Sequence, residues 1–136
     1  MGRTYTTLDF IKAQYTSLPS TTMDLTGRTV LVTGANTGLG REAARQLLEM
    51  KPKKLIMTSR DITKGQEAMR WVIEQARETR LDVVEVWDLD LANFASTKAF
   101  ASRCNKLERL DVALLNAGAI SPAWSVTNDG YETSCV

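Results

Sequence analysis

Thr33-Gly34-Ala35-Asn36-Thr37-Gly38-Leu39-Gly40 is the stretch that decides how this chain is read. It is entered from Thr29-Val30-Leu31-Val32-Thr33, a short apolar run of the kind that forms a strand buried on both faces. It leads into Leu39, Ala43, Ala44, Leu47 and Leu48 at helical spacing, a segment closed by Pro52. A glycine directly after a strand lets the chain turn where a side chain would clash. Gly38 lets backbone approach a pyrophosphate, and Gly40 lets the helix pack closely on the sheet. The first amides of that helix, at the positive end of its dipole, are then offered to phosphates. Three glycines alone also describe a mere tight turn. The strand before them and the helix after them are the context that the nucleotide reading requires.

The same alternation continues outward. Leu55-Ile56-Met57-Thr58 predicts a second strand, and Ala68, Trp71, Val72, Ile73 and Ala76 a second helix. Val83-Val84-Glu85-Val86-Trp87 predicts a third strand. Phe94, Thr97, Phe100, Ala101 and Cys104 mark a third helix, and Leu110 to Leu115 a fourth strand. Strands separated by helices specify a parallel sheet with right-handed crossovers, the first strand central and the chain reversing direction between strands one and four. The fold class expected is α/β, a Rossmann-type doubly wound parallel sheet truncated after the fourth strand. Ligands in such sheets bind at the carboxyl ends of the strands, at the switch point. Residues 1–27 read as a leader and 28–136 as a partial NAD(P)-binding domain. In the leader, Leu8, Phe10, Ile11, Tyr15 and Leu18 suit a short amphipathic turn or two before Pro19.

Composition narrows the class. The 136 residues are enough for one domain, and 17 basic against 16 acidic side chains give no electrostatic reason to expect nucleic acid or an acidic membrane. Cys104 and Cys135 lie far apart and histidine is absent, so neither a disulfide framework nor a protein-bound zinc is expected. No apolar run approaches the ~20 residues of a membrane span. No signal peptide is visible, and a cytoplasmic setting is expected. Gly2 and Thr6 fit the loose N-myristoylation pattern, which short sequences match often by chance.

The glycine spacing is Gly-x-x-x-Gly-x-Gly, and it resembles the motif of short-chain dehydrogenases/reductases. Three further segments are similar to that family, in its order, with particular likeness to retinol-dehydrogenase-like and fungal members. Asp90-Leu91 follows the third strand, where the family sets an Asp beside the adenine ring. Asp88 lies two residues earlier and leaves that register open; Leu91-Ala92 continuing the family pattern favours Asp90. Asn116-Ala117-Gly118 resembles the element that steadies the central sheet and borders the cofactor ribose. Asp129-Gly130-Tyr131-Glu132 resembles the segment leading into the family's next helix. Leu115 departs from the pattern, since many members have a second Asn there.

What the resemblance implies for the cofactor turns on Ser59-Arg60-Asp61, after the second strand. An acid there would accept from a ribose 2′-hydroxyl and repel a 2′-phosphate. Arg60 comes first, and a guanidinium pairs with phosphate in a bidentate way. NADP is therefore expected, with NADPH preferred and NAD disfavoured; Asp61 is free to cap the second helix. The expected cofactor-binding residues are Gly34, Asn36, Thr37, Gly38, Leu39, Gly40, Arg60, Asp90, Leu91, Asn116, Ala117 and Gly118.

Catalysis in the family needs a Tyr-x-x-x-Lys pair with an upstream Ser. Tyr5, Tyr15 and Tyr131 are the only tyrosines, and none has Lys four residues on. No catalytic residue is assigned. The resemblance implies an oxidoreductase interconverting alcohol and carbonyl on small molecules, here as a cofactor-binding fragment inactive alone. The alternative is a non-catalytic nucleotide-binding module. The fourth strand has nothing after it in sequence to pair with, so self-association through that edge is expected.

Overall fold

In the computed structural model, residues 6–17, 22–118 and 123–133 are described. Strand β1 (Thr29–Val32) is buried at every position, as its unbroken apolar run requires. It pairs in parallel with β2 (Lys54–Ser59) on one side and β4 (Val112–Leu114) on the other, and β2 pairs with β3 (Val84–Asp88). The sheet order is β3-β2-β1-β4, so the chain reverses direction beside β1, as expected.

Helices α2 (Gly38–Glu49) and α3 (Ile62–Gln75) cover one face, and α4 (Phe94–Cys104) lies on the other. Alternation along the strands sorts their side chains. Val30, Val32, Leu55, Met57 and Val84 join Ala44, Leu48, Ala68 and Val72 in the larger core. Leu31, Ile56 and Trp87 point the other way, toward Phe100, Cys104 and Leu107. The second core is thin: α4 buries no residue fully. Trp87 is held there by Phe100 edge-on at 5.9 Å, by the Arg103 guanidinium 3.8 Å from its ring centre, and by Glu85, which accepts from its Nε1 at 2.8 Å.

The leader contains α1 (Thr7–Gln14), closed at its start by a capping box between Thr6 and Asp9. Leu8, Phe10 and Ile11 are exposed on it, and Tyr15 is exposed just after it. Leu18 and Pro19, with Gly2 and Cys135, lie outside the described residues. Leu25, also assigned to the leader, is fully buried in the larger core, and its N–H donates to the Met50 carbonyl at 2.9 Å.

Two expectations are corrected. The fourth strand does not run from Leu110 to Leu115; it is Val112–Leu114. The regular ladder stops at these bounds because the Asp111 carboxylate, in place of a backbone carbonyl, accepts from the Thr29 N–H, while the Asn116 N–H turns back to the Leu114 carbonyl. The segment 129–132, expected to lead into a further helix, is a turn, and Thr133 directly after it is in 3-10 geometry. A bridge between Val126 and Glu132 closes a turn there, and the Asp129 carboxylate instead accepts from the Phe94 N–H at 2.7 Å, at the start of α4. The third strand begins one residue late, because Val83 closes a short 3-10 turn (Leu81–Val83).

Candidate functional site

The carboxyl ends of all four strands open on one cavity of about 500 Å³. Its floor is the loop after β1. Gly34 has φ +64°, and a Cβ there would stand 2.9 Å from Ala117 Cα. The loop is tied to β2 by two bonds, from Gly34 N–H to Thr58 Oγ1 at 3.2 Å and from Ala35 N–H to the Thr58 carbonyl at 3.1 Å. It is tied to the segment after β4 by three more. Asn116 Nδ2 donates to the carbonyls of Thr33 and Gly34, at 3.1 and 3.3 Å, and Ala117 N–H donates to Thr33 Oγ1 at 3.0 Å.

Gly38 opens α2 with φ +54°, and nothing lies within 4 Å of where its Cβ would be. Its need for glycine is conformational. Gly40 is a packing glycine, facing Asn116 and the Gly34 carbonyl. Thr37 precedes α2 in extended conformation and makes no side-chain cap bond, whereas Thr6, Asp61 and Asn93 cap α1, α3 and α4. The first turn of α2 thus presents uncapped amides and the positive end of its dipole to the cavity. Leu39, 84% exposed, stands beside them. A glycine cradle with no room for Cβ at Gly34 or Gly40, an uncapped helix start and free space over Gly38 together fit a pyrophosphate.

The opposite wall comes from β2, β3 and the turns after them. Ser59 Oγ donates to the Asp61 carbonyl at 2.7 Å and accepts from the Asp61 N–H at 3.2 Å. Asp61 caps α3 by accepting from Lys64 N–H at 3.2 Å. Arg60, between them, is exposed at the rim. Leu89 N–H donates to the Ser59 carbonyl, and Asp90 is held by Ser96 Oγ on its N–H and by its own carboxylate on Ala92 N–H. Asp90 and Leu91 line the cavity; Asp88 ends β3, exposed and away from it.

The twelve residues expected to bind the cofactor, from Gly34 through Gly118, all line this one cavity. Thr58, Ser59, Asp61, Lys64, Leu89, Ala92 and Thr133 line it too and were not among the residues expected to bind. Lys64 had no signal of its own, since in sequence it is one charge among those of an amphipathic helix. Thr133 had none, because only the turn at 126–132 brings it there. Among the described residues no cluster suited to a metal ion is present, and no helix is long and apolar enough to cross a membrane.

The family model for short chain dehydrogenases matches residues 28–133. The chain belongs to the short-chain dehydrogenase family. Curated fungal members are similar along most of it. A short chain dehydrogenase of Arthrobotrys oligospora is 40% identical over 120 residues, covering 86% of this chain and 37% of the relative. One from Aspergillus ruber is 43% identical over 113 residues, covering 82% and 32%. Among solved structures, menthone neomenthol reductase from Mentha piperita aligns with TM-score 0.62 and 36% identity, over 69% of this chain and 32% of its own. A short chain dehydrogenase from Shigella flexneri complexed with NADP aligns at TM-score 0.58 and 29% identity, over 72% and 41%. This short-chain dehydrogenase chain thus spans about a third of the length of the curated relatives it matches.

Proposed function

We propose that the chain binds NADP, with NADPH preferred over NADH, as the cofactor-binding part of an oxidoreductase that interconverts alcohol and carbonyl on small molecules in the cytoplasm. One observation carries the reading: the uncapped start of α2 opens on the same cavity that Arg60 lines. In this reading Asn36, Thr37, Gly38, Leu39 and Gly40 take the pyrophosphate through backbone and helix dipole. Arg60 takes the 2′-phosphate, Asp90 and Leu91 border the adenine, and Asn116, Ala117 and Gly118 border the ribose. The bound dinucleotide supplies hydride chemistry; the chain's own residues bind and orient it. That a relative in this family is complexed with NADP supports the choice of nucleotide.

The test is to titrate the 136-residue chain with NADPH and NADH and repeat with Arg60→Ala. Tighter NADPH binding that collapses toward parity in the variant is expected. Equal affinities before substitution, or an unchanged ratio after it, would overturn the reading.

A second reading is a nucleotide-binding module without catalysis; in the 136 residues themselves none of Tyr5, Tyr15 and Tyr131 stands four residues before a lysine. Without such a proton donor the 136 residues are expected to bind nucleotide and turn nothing over. Turnover above buffer with a panel of alcohols, ketones and aldehydes would refute that expectation.

A further inference from the structure

Helix α3 starts closer to the sheet than any side chain at position 65 permits. A Cβ on Gly65 would lie 2.6 Å from Val86 Cγ1 on β3 and 3.0 Å from Ser59 Cβ at the end of β2. Ordinary carbon contacts are about 3.5–4.0 Å, so a methyl group there forces a displacement of about 1 Å. Gly65 is otherwise an ordinary helical residue, buried, with its N–H donating to the Asp61 carbonyl at 2.9 Å. Its smallness is therefore about approach and not about backbone conformation.

That approach has a consequence for charge. Ser59 closes on Asp61, Asp61 caps Lys64, and Gly65 bonds back to Asp61, so residues 59–65 form one rigid corner. Two cations project from it to the same cavity, Arg60 from the turn and Lys64 from the first turn of α3. Among the described residues neither is in an ion pair. The one carboxylate in the corner, on Asp61, accepts from Lys64 N–H as the cap of α3.

We infer that Gly65 is a specificity-determining position: by letting α3 close onto Val86 and Ser59, it holds Arg60 and Lys64 together as a two-cation receptor for a phosphate monoester on the ribose. This rests on the NADP reading above. Charge-assisted bonds to phosphate require heavy-atom separations of about 2.7–2.9 Å, and a 1 Å retreat of the corner breaks them. The glycine cradle, built from β1, β4 and α2, stays where it is.

The experiment measures binding of 2′,5′-ADP and of 5′-AMP to the 136-residue chain by calorimetry, with thermal melts as a fold check. Gly65→Ala is expected to weaken 2′,5′-ADP by about tenfold and to leave 5′-AMP within about twofold. Val86→Ala in the Gly65→Ala background removes the nearer obstruction and is expected to recover a clear part of the lost discrimination. Lys64→Ala disturbs no packing and is expected to reduce 2′,5′-ADP selectively, which keeps the receptor testable should Gly65→Ala fail to melt cooperatively. Equal losses for both nucleotides in Gly65→Ala, absence of rescue by Val86→Ala, or an unchanged ratio in Lys64→Ala would overturn the inference. Arg60→Ala separates the two levels. If it abolishes discrimination while Gly65→Ala and Lys64→Ala do not, the NADP reading stands and this inference falls. If the unsubstituted chain shows no discrimination, both fall.

Discussion

The side-chain amide of Asn116 fills the space that any side chain at position 40 would need: a Cβ on Gly40 would fall 2.4 Å from Asn116 Nδ2 and 2.5 Å from the Gly34 carbonyl oxygen. Helix α2, the loop after β1 and the segment after β4 are thus closed on one another with no slack. Gly40→Ala must push Asn116 off the Thr33 and Gly34 carbonyls. The expected cost is about 1–3 kcal/mol of stability, read from urea unfolding, with nucleotide affinity falling for NADPH and NADH alike. An unchanged unfolding midpoint would show that the contact is slack after all.

Thr58 offers a milder version of the same test. It is buried, and its hydroxyl accepts from the Gly34 N–H. Thr58→Val keeps the shape and strands that donor, at a cost of about 1–3 kcal/mol. Affinity for both dinucleotides is expected to fall together, leaving their ratio where it was. A change in ratio would mean that Thr58 reaches the 2′ position by a route that its bonds do not suggest.

Acid should loosen the junction of β1 and β4. Asp111 is held well below the usual carboxylate range, at about 2, first by the Arg109 guanidinium and then by the Thr29 N–H. A depressed folded value means that the unfolded chain binds the proton more readily, so stability is fully present above about pH 5 and is lost as pH falls toward 2. Glu42 and Glu78, each at about 2 beside Arg45 and Arg80, act in the same sense. With no histidine in the chain, the profile from pH 5 to 8 is expected to be flat. Asp111→Asn should shallow the acid limb; a limb of unchanged slope in denaturant melts at stepped pH would remove Asp111 from the account.

Among the described residues no strand pairs with the far side of β4, and that edge is expected to promote self-association of the 136-residue chain. Ala113 and Leu114 are exposed on it, Leu115 is 78% exposed just beyond, and α1 leaves Leu8, Phe10 and Ile11 exposed elsewhere. Edge strands template further pairing unless charge interrupts them. Sedimentation should show concentration-dependent association that Leu115→Lys reduces. A monodisperse monomer at all concentrations would defeat the expectation.

How far the sequence could be read depends on which distances set each feature. β1, the glycine loop and α2 are local, with period, turn and helix adjacent in the chain, and they stand where the pattern put them. Strand order followed from crossover handedness. The extent of β4 was not legible, because Leu110 and Leu115 are excluded by what Asp111 and Asn116 do to β1 and to Leu114, and no propensity records that. Asp88 and Asp90 are alike in sequence; the turn held by Ser96 brings only Asp90 to the cavity. The bond from the Phe94 N–H to the Asp129 carboxylate joins segments 35 residues apart, and no local pattern in either segment announces it. Lys64 and Gly65 sit in an ordinary amphipathic helix, and only the approach of α3 to Val86 makes them stand out.

Thr37 leaves the first turn of α2 without a cap, and this ties the proposed nucleotide site to folding itself. An anion seated there completes the helix's own hydrogen bonding, so it serves as the missing N-terminal residue of a secondary-structure element. The amides of Leu39 and Gly40 should then exchange slowly with deuterated solvent in its presence and freely without it. Since a ligand that binds only the folded state adds RT ln(1 + [L]/Kd) to stability, the melting temperature becomes a readout of nucleotide supply. A chain kept from its nucleotide would spend more time frayed at this end, within reach of proteases, so that occupancy would govern how long the protein survives as well as what it binds.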